Sequence, residues 1–236
     1  MPPKRHRSSP PVRTGFIEEY RKLRPEYYPA FLNLRGKKCI VVGGGKVAER
    51  KVVALVRAGA CVMVISPELT ATLERRKAAG EIDHIGRKYR KGDLKGAFLA
   101  IAGTSIEEVN RAVSIEAPLL VNVVDAPELC NFIAPAVVRR GALAIAVSTG
   151  GASPAMASAV RRELELLYGN ATGRYLLFLG KLRKEAIKMI SDKKLREAFL
   201  KKAASQEILG ILRDEGFPKA KNIVMERLAK VSGQND

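Results

Sequence analysis

The sequence CIVVGGGKVAER at residues 39–50 joins an apolar run to three glycines and then to a helix-forming segment. A β-branched run such as residues 39–42 is typical of a strand buried on both faces. The three glycines, Gly43 to Gly45, allow a tight turn and a close approach of the backbone to a ligand. A helix beginning near Lys46 directs its free N–H groups and the positive end of its dipole toward an anion. The stretch therefore predicts a strand, a phosphate-binding turn and a helix.

The small residues of this turn have the spacing of the relaxed dinucleotide fingerprint, with Gly43, Gly45 and Ala48 in the three small positions. Taken alone, the motif is also compatible with a purely structural turn. A P-loop is excluded, because Lys46 is followed by Val47 and not by Ser or Thr. The cofactor contacts predicted in this turn come from Gly43, Gly44, Gly45, Lys46 and Val47.

The end of the second predicted strand bears on which dinucleotide is bound. An NAD site usually has Asp or Glu there to hold the ribose hydroxyls, whereas this strand ends in Ser66-Pro67-Glu68. We predict that Pro67 and Glu68 border the cofactor. Because the Glu68 carboxylate disfavours a 2′-phosphate, NAD is preferred over NADP. The alternative is that Glu68 is only a first-turn acid of the next helix.

Apolar strands and amphipathic helices alternate along residues 39–124. The predicted strands are 39–42, 61–65, 81–86, 97–102 and 119–124, and the predicted helices are 46–57, 69–79 and 106–115. Such alternation predicts an α/β fold with a Rossmann-like parallel sheet and helices on both faces. Gly103 and Thr104, which follow the strand at 97–102, are predicted to pass the far side of the dinucleotide. Thr104 or Ser105 is also a candidate N-cap for the next helix.

Asp125 directly follows the last of these strands. A side chain at the carboxyl end of a parallel strand lies in the crevice where such sheets bind ligands. Asp125 is therefore the catalytic candidate. The alternative is an Asp that caps the turn before Pro127.

A second region follows the sheet. Leu143 to Val147 predicts a further strand, and the run STGGASP at 148–154 is expected to end the sheet and begin a helix. In that helix Ser153 is the predicted N-cap and Pro154 the first helical residue. From residue 171 onward the apolar spacing stays helical.

Composition limits the protein class. The chain has 236 residues, 47% of them hydrophobic, which is enough for a sizeable core. It shows no apolar run of membrane-spanning length and no apolar signal core at its start, so we expect a cytoplasmic protein with no membrane partner. The three cysteines, Cys39, Cys61 and Cys130, favour reduced thiols over a disulfide framework or a zinc site.

The formal net charge of +18 calls for an acidic partner, either nucleic acid or an acidic small molecule. The excess is spread, at +6, +5 and +7 over residues 1–37, 38–150 and 151–236. With no Trp and no clustered aromatic and basic motif, the sequence lacks an RNA-recognition signature. We therefore expect no nucleic-acid partner.

Together, four blocks closely resemble the precorrin-2 dehydrogenase family, also known as the N-terminal module of siroheme synthase. They cover roughly residues 31–165. The blocks are FLNL at 31–34 with VVGGGKVAERK at 41–51, AIAGT at 100–104 with VN at 109–110, NVVDAP at 122–127 with FI at 132–133, and AVSTGGASP at 146–154.

This resemblance implies an NAD-dependent oxidation of precorrin-2 to sirohydrochlorin and, in the bifunctional members, insertion of ferrous iron to give siroheme. The aspartate that matches Asp125 is held to be essential in the family. Dehydrogenation releases a proton and metal insertion removes protons from pyrrole nitrogens, so one carboxylate can serve both steps. His6 and His84 are the only histidines, which disfavours a resident histidine-built metal site.

The resemblance also implies an interleaved homodimer and a tetrapyrrole pocket lined by Asn131, Phe132 and Thr149. The carboxylates of such a substrate offer a partner for the positive charge. Bidentate contacts from arginine are the natural form of that recognition. The candidates are Arg139, Arg140, Arg161 and Arg162, at least two of which we expect to be solvated surface instead.

Four segments are predicted along the chain. They are a basic, disordered tail and lead-in at 1–30, an NAD-binding Rossmann domain at 31–125, a dimerisation and substrate-pocket segment at 126–165 and a helical domain at 166–236. Two further hypotheses are a non-catalytic nucleotide- or tetrapyrrole-binding protein and a nucleic-acid-associated protein. Asp125 discriminates against the former, because a pure binder needs no carboxylate in the crevice.

Overall fold

The computed structural model describes residues 27–232, which form two compact units divided between Ala134 and Pro135. Residues 1–26 and 233–236 lie outside the described part, and with them most of the predicted tail at 1–30. The elements of the first unit are β1 (Lys38–Val42), α1 (Lys46–Arg57), β2 (Cys61–Ile65), α2 (Ala71–Ala78), β3 (Asp83–Ile85), β4 (Leu99–Ala102), α3 (Glu107–Glu116), β5 (Leu120–Val123) and a 3₁₀ turn (Pro127–Leu129).

The five strands form a parallel sheet in the order β3-β2-β1-β4-β5. The register aligns Val42, the last residue of β1, with Ile65 of β2 and Ala102 of β4. The turns after these three strands therefore leave the sheet at the same edge. β1 is the central strand, where the chain order reverses, and such a switch point is where open parallel sheets bind ligands. The predicted Rossmann-like sheet is confirmed.

The sheet is buried on both faces, because the apolar residues of β1 point alternately to either side. Cys39 and Val41 pack in one cluster with α1 and α2, which also contains Ala48, Val52, Leu55 and Leu73. Ile40 and Val42 pack in the other cluster with Val113 of α3. This two-sided burial explains why β1 and β4 are almost wholly apolar.

Helix α2 begins two residues later than predicted, at Ala71. Thr70 is its N-cap and accepts a hydrogen bond from the Leu73 N–H at 3.3 Å. The preceding residues, Pro67 to Leu69, form a loop instead. The Thr70 N–H donates a hydrogen bond to the carbonyl of Gly44, which joins the end of this loop to the glycine turn.

The second unit has a two-stranded antiparallel sheet followed by helices. Its elements are β6 (Ala136–Arg140), β7 (Leu143–Val147), α4 (Pro154–Leu167), α5 (Asn170–Met189), α6 (Lys193–Ala203), α7 (Gln206–Asp214) and α8 (Gly216–Ser232). The expectation that 143–147 belongs to the main sheet was wrong. That strand pairs with β6, which the sequence analysis missed, through the tight turn at Gly141, where φ is +59°. A single glycine between two short apolar runs is too weak a signal to predict a hairpin.

The predicted helical character beyond residue 166 is confirmed up to residue 232. The core of these helices consists of fully or almost fully buried residues, among them Leu182, Ile190, Ile208 and Leu228. The Tyr175 hydroxyl donates to the carbonyl of Ala203 at 2.6 Å, and burial raises its pKa to about 12. Within residues 27–232, no helix is both long and apolar enough to cross a membrane.

Candidate functional site

The glycine turn after β1 is built by close backbone contacts. Gly43 has φ +118°, and a Cβ added there would lie 2.5 Å from the carbonyl oxygen of Gly103. A Cβ on Gly44 would lie 1.9 Å from the carbonyl oxygen of Glu68. A Cβ on Gly45 would meet no atom within 4 Å. The first two glycines therefore let three strand-end turns pack together, and the third leaves an open surface.

The first turn of α1 faces this open surface. Its N-cap, Gly45, has extended backbone and provides no side-chain cap, so the first N–H groups of the helix have no capping oxygen from that residue. Glu49 in the first turn accepts a hydrogen bond from the Thr70 hydroxyl, which lowers the pKa of Glu49. The Lys46 ammonium lies 3.4 Å from the same carboxylate. The helix start is thus suited to an anionic group and is tied to the loop before α2.

Two adjoining cavities, of about 430 and 450 Å³, lie along these turns and share Gly44, Gly45, Ser66 and Pro67. The predicted cofactor residues are brought together here. Gly43, Lys46, Val47, Gly103 and Thr104 line the first cavity in addition to the shared residues, and Glu68 lines the second. Their contacts with a cofactor remain predictions.

The first cavity has a further wall that sequence reasoning missed, formed by Lys88 and Tyr89 after β3. Burial raises the pKa of the Tyr89 hydroxyl, with a further contribution from Glu116. Both Arg87 η-nitrogens donate to the Asp93 carboxylate at 2.8 Å, and the Arg90 N–H donates to it at 2.8 Å. The sequence held one signal for this wall, which is the position of Lys88 and Tyr89 after β3. Residues that follow a strand next to β2 lie at the same ligand-binding edge of the sheet.

Thr104 organises the turn after β4 without capping the helix that follows. Helix α3 has Ile106 as its N-cap, so the expectation that Thr104 or Ser105 is the N-cap was wrong. The Thr104 hydroxyl accepts from the Ile106 N–H at 3.1 Å, and the Asn110 amide donates to the Thr104 carbonyl at 3.0 Å. These hydrogen bonds fix the turn between β4 and α3, and the helix begins at Glu107.

Asp125 follows β5 at the same edge of the sheet, one residue after Val124, whose N–H donates to the Ala102 carbonyl at 2.9 Å. Among residues 27–232 it is the only non-glycine residue with a left-handed backbone, at φ +59°. This conformation is costly for most residues and is tolerated best by Gly, Asn and Asp. The side chain is exposed, so a carboxylate is available at the sheet edge.

The segment after this turn covers the outer edge of β5. The Asn131 side chain accepts from the Val121 N–H at 2.8 Å and donates to the Leu119 carbonyl at 2.6 Å. Phe132 packs into the cluster shared with α1, and its carbonyl accepts from the Asn122 amide at 3.1 Å. The amide of Asn131 is thus engaged in the fold. A substrate contact by Asn131 or Phe132 remains a prediction.

Cys130 lies in the same turn, and its thiol is held by the backbone. The sulfur accepts from the Val123 N–H at 3.1 Å and lies 3.3 Å from the carbonyls of Val123 and Ala126. Burial raises the pKa of this thiol. The contacts suit a protonated thiol that closes the turn.

The remaining candidates belong to the second unit. The Thr149 hydroxyl accepts from the Ser153 N–H at 3.1 Å, and Ser153 caps α4 as predicted. Arg161 pairs with Glu165 at 2.6 Å, and Arg140 donates to the Glu165 carbonyl at 3.3 Å. The candidates Arg139 and Arg162 are exposed.

Family models match most of the sheet unit and the segment after it. The model described as NAD(P)-binding matches residues 30–136, and the one described as sirohaem biosynthesis protein central matches residues 140–166. A siroheme synthase of Methylobacillus flagellatus is 48% identical over 166 residues, which is 69% of this chain and 35% of that protein. One of Photorhabdus laumondii is 32% identical over 214 residues, which is 89% of this chain and 46% of that protein. The chain thus spans less than half the length of these relatives.

A solved structure of a related protein matches over the whole length of that protein's chain. It is described as SirC, precorrin-2 dehydrogenase, and the match has a TM-score of 0.73 and 26% identity, covering 85% of this chain and 100% of that one. Sequence and fold therefore agree. The chain belongs to the precorrin-2 dehydrogenase and siroheme synthase family, within its NAD(P)-binding and central sirohaem-biosynthesis regions.

Proposed function

We propose that the protein oxidises precorrin-2 to sirohydrochlorin, with NAD as the hydride acceptor, in siroheme biosynthesis. The observation that carries the proposal is the juxtaposition of two features at one sheet edge. Two adjoining cavities lie at the turns after β1 and β2, and the exposed carboxylate of Asp125 follows β5. The family relationship supplies the substrate class.

The residues of the cavities fit NAD. When bound, NAD supplies an oxidised nicotinamide that accepts a hydride. The free N–H groups at the start of α1 suit the pyrophosphate, and the open surface at Gly45 admits it without a clash. The Lys46 ammonium adds a positive charge near the negatively charged pyrophosphate. Glu68 borders the second cavity, where its carboxylate repels a 2′-phosphate and favours NAD over NADP.

Asp125 supplies the second half of the reaction. Oxidation of the macrocycle breaks two bonds to hydrogen, one of which leaves as a hydride with two electrons, so the other must leave as a proton. An exposed carboxylate at the ligand edge can accept that proton. The products are then sirohydrochlorin and NADH, with the proton passed through Asp125 to solvent.

Several finer parts of the proposal rest on the family resemblance. These are the homodimer, the cytoplasmic location, iron insertion through the same carboxylate and the substrate contacts of Asn131, Phe132 and Thr149. Iron insertion has its own test, which compares the rate of ferrous or cobaltous ion insertion into sirohydrochlorin with and without the protein. Insertion by the protein at only the spontaneous rate would remove this activity from the proposal.

The dehydrogenase is tested by NADH formation. We expect the full chain to convert precorrin-2 to sirohydrochlorin with NAD and to do so poorly with NADP. Asp125→Asn should keep NAD affinity and lower turnover by about 100-fold or more, as for loss of a general base. Glu128→Gln, in the same turn, is the matched control. NAD binding without any NADH formation would instead support the non-catalytic binding protein.

A further inference from the structure

His84 is the histidine of β3, and the cofactor contacts proposed above do not use it. It is one of the two histidines of the chain, and its side chain is partly buried. In the register of the sheet it is aligned with Val64 of β2, which packs in the cluster with α1 and α2. Because side chains alternate between the two faces of a sheet and aligned residues share a face, the His84 ring lies on the side of these two helices.

The His84 ring extends toward the ligand edge of the sheet. Its Cε1 atom lies 3.5 Å from the place of an added Cβ on Gly86, which follows β3. Its Nε2 atom lies 2.8 Å from the carbonyl oxygen of Ser66, the first residue after β2. A carbonyl oxygen has no hydrogen and can only accept, so Nε2 carries the proton and donates this hydrogen bond. Among the residues that the structure describes, no backbone N–H donates to that carbonyl.

The bond to Ser66 fixes one end of the loop between β2 and α2. The Ser66 N–H donates to the Ile85 carbonyl at 3.2 Å, so both backbone groups of Ser66 are bonded to β3. At the other end of the loop, the Thr70 N–H donates to the Gly44 carbonyl at 3.1 Å. The loop is therefore held at both ends, by β3 and by the glycine turn.

Pro67 transmits the restraint at Ser66 to Glu68. It follows the bonded carbonyl directly, and the proline ring fixes its φ at about −65°, which leaves the chain little freedom to rotate. Glu68 lines the second cavity, and its carboxylate is the group proposed above to disfavour a 2′-phosphate. The position of that carboxylate therefore depends on where His84 holds the Ser66 carbonyl.

We propose that His84 is the positioning residue of this loop and thereby determines the preference for NAD over NADP. The effect on cofactor preference rests on the proposed NAD site, whereas the hydrogen bond to Ser66 exists without a cofactor. Loss of the donor frees the Ser66 carbonyl to turn toward water, and Pro67 and Glu68 turn with it.

Two amide side chains separate the hydrogen bond from polarity alone. The amide nitrogen of glutamine is as many bonds from Cα as Nε2 of histidine, whereas that of asparagine is one bond closer, in the place of Nδ1. In the full chain, we expect His84→Gln to keep the affinity for NAD and the ratio of the NADP and NAD dissociation constants. His84→Asn should lower that ratio about threefold to tenfold, as for the loss of one hydrogen bond.

Binding titrations with NAD and NADP measure the ratio, and Asp83→Asn in the same strand is the control that should retain it. Thermal melts establish that each variant is folded. A wild-type ratio in folded His84→Asn, or equal losses in the Gln and Asn variants, would overturn the proposal.

The hydrogen bond is tested without any cofactor, by long-range ¹H–¹⁵N spectra of the full chain at alkaline pH, with His84 assigned by its loss in His84→Gln. We expect a protonated Nε2 and an unprotonated Nδ1. The amide resonances of Glu68 and Leu69 should shift in His84→Asn and return in His84→Gln. An unprotonated Nε2, or amides that do not shift, contradicts the proposal. If the wild-type protein binds neither dinucleotide, the proposed NAD site is wrong, and these resonances decide whether His84 positions the loop.

Discussion

Gly44 and Gly45 are adjacent and chemically identical, but the structure gives them different tasks. An added Cβ at Gly44 would overlap the Glu68 carbonyl, whereas one at Gly45 would enter open space. Gly44 is therefore required by the packing of the protein itself. Gly45 is required only if a ligand approaches the turn.

We predict that Gly44→Ala lowers the free energy of unfolding by about 1–3 kcal/mol or more, as overpacking does. Gly45→Ala should leave stability nearly unchanged and weaken NAD binding at least several-fold, because its methyl group projects toward the bound pyrophosphate. Denaturant unfolding and NAD titration measure the two effects. Normal NAD affinity in a folded Gly45→Ala variant would place the pyrophosphate elsewhere.

Asp125 combines a left-handed backbone conformation with an exposed carboxylate. We predict that Asp125→Gly is more stable than Asp125→Ala by about 1 kcal/mol, because glycine adopts the left-handed conformation without steric cost. Both variants should lose turnover. Equal denaturation midpoints for the two would show that the left-handed turn is not maintained in solution.

Strand β5 is an edge strand, and residues 130–132 cover its outer side. We predict that Asn131→Ala lowers the free energy of unfolding by about 1–2 kcal/mol and speeds hydrogen exchange of the Val121 amide, because the side-chain hydrogen bonds are lost. Asn131→Asp keeps the acceptor for that amide and should have a smaller effect. A loss of turnover with unchanged stability and exchange would instead favour a substrate contact.

The loop after β3 is clamped by Asp93, whose hydrogen bonds with Arg87 hold its pKa below the usual range. A depressed carboxyl pKa contributes stability above the pKa of the unfolded chain, about 4, and this contribution is lost as the pH falls through the folded value. We predict that Asp93→Asn is less stable at pH 7 and loses less stability on acidification. The substitution should also weaken NAD binding, because the same loop carries Lys88 and Tyr89 of the cavity wall.

Thermal melts between pH 2 and 7 compare this variant with Asp83→Asn, which removes an exposed carboxylate from β3. The control should keep the acid dependence of the wild-type protein. Parallel melting curves for wild type and Asp93→Asn across this range would contradict the clamp.

The whole chain carries a net charge of +18 that is spread over its length. Because a tetrapyrrole with several carboxylates is attracted by such a field and salt screens it, we predict that its KM rises several-fold between low and physiological ionic strength. The kcat should change little, and the KM for NAD, which carries fewer charges, should rise less. Equal salt dependence for both would leave the net charge without a role in substrate capture.

The sheet was predictable because β1, β2 and β4 are almost wholly apolar runs that alternate with helical segments. The helix limits of α1 and the strand limits of β2 follow directly from residues 46–65. The hairpin of β6 and β7 was not predictable in the same way, because its strands are only partly buried and pair with each other. Local periodicity reports burial, but it does not report which strand is the neighbour.

By itself the sequence determined the parallel sheet, the glycine turn and the candidate carboxylate at Asp125, because strand-end position alone places a residue at the ligand edge. Only the tertiary structure decided that Gly44 is needed against Glu68, that Asn131 closes the edge of β5 and that Val124 and Phe132 pack in one cluster with α1. The physical reason is distance along the chain. These contacts join segments that become neighbours only when the sheet is formed, and no local pattern encodes them.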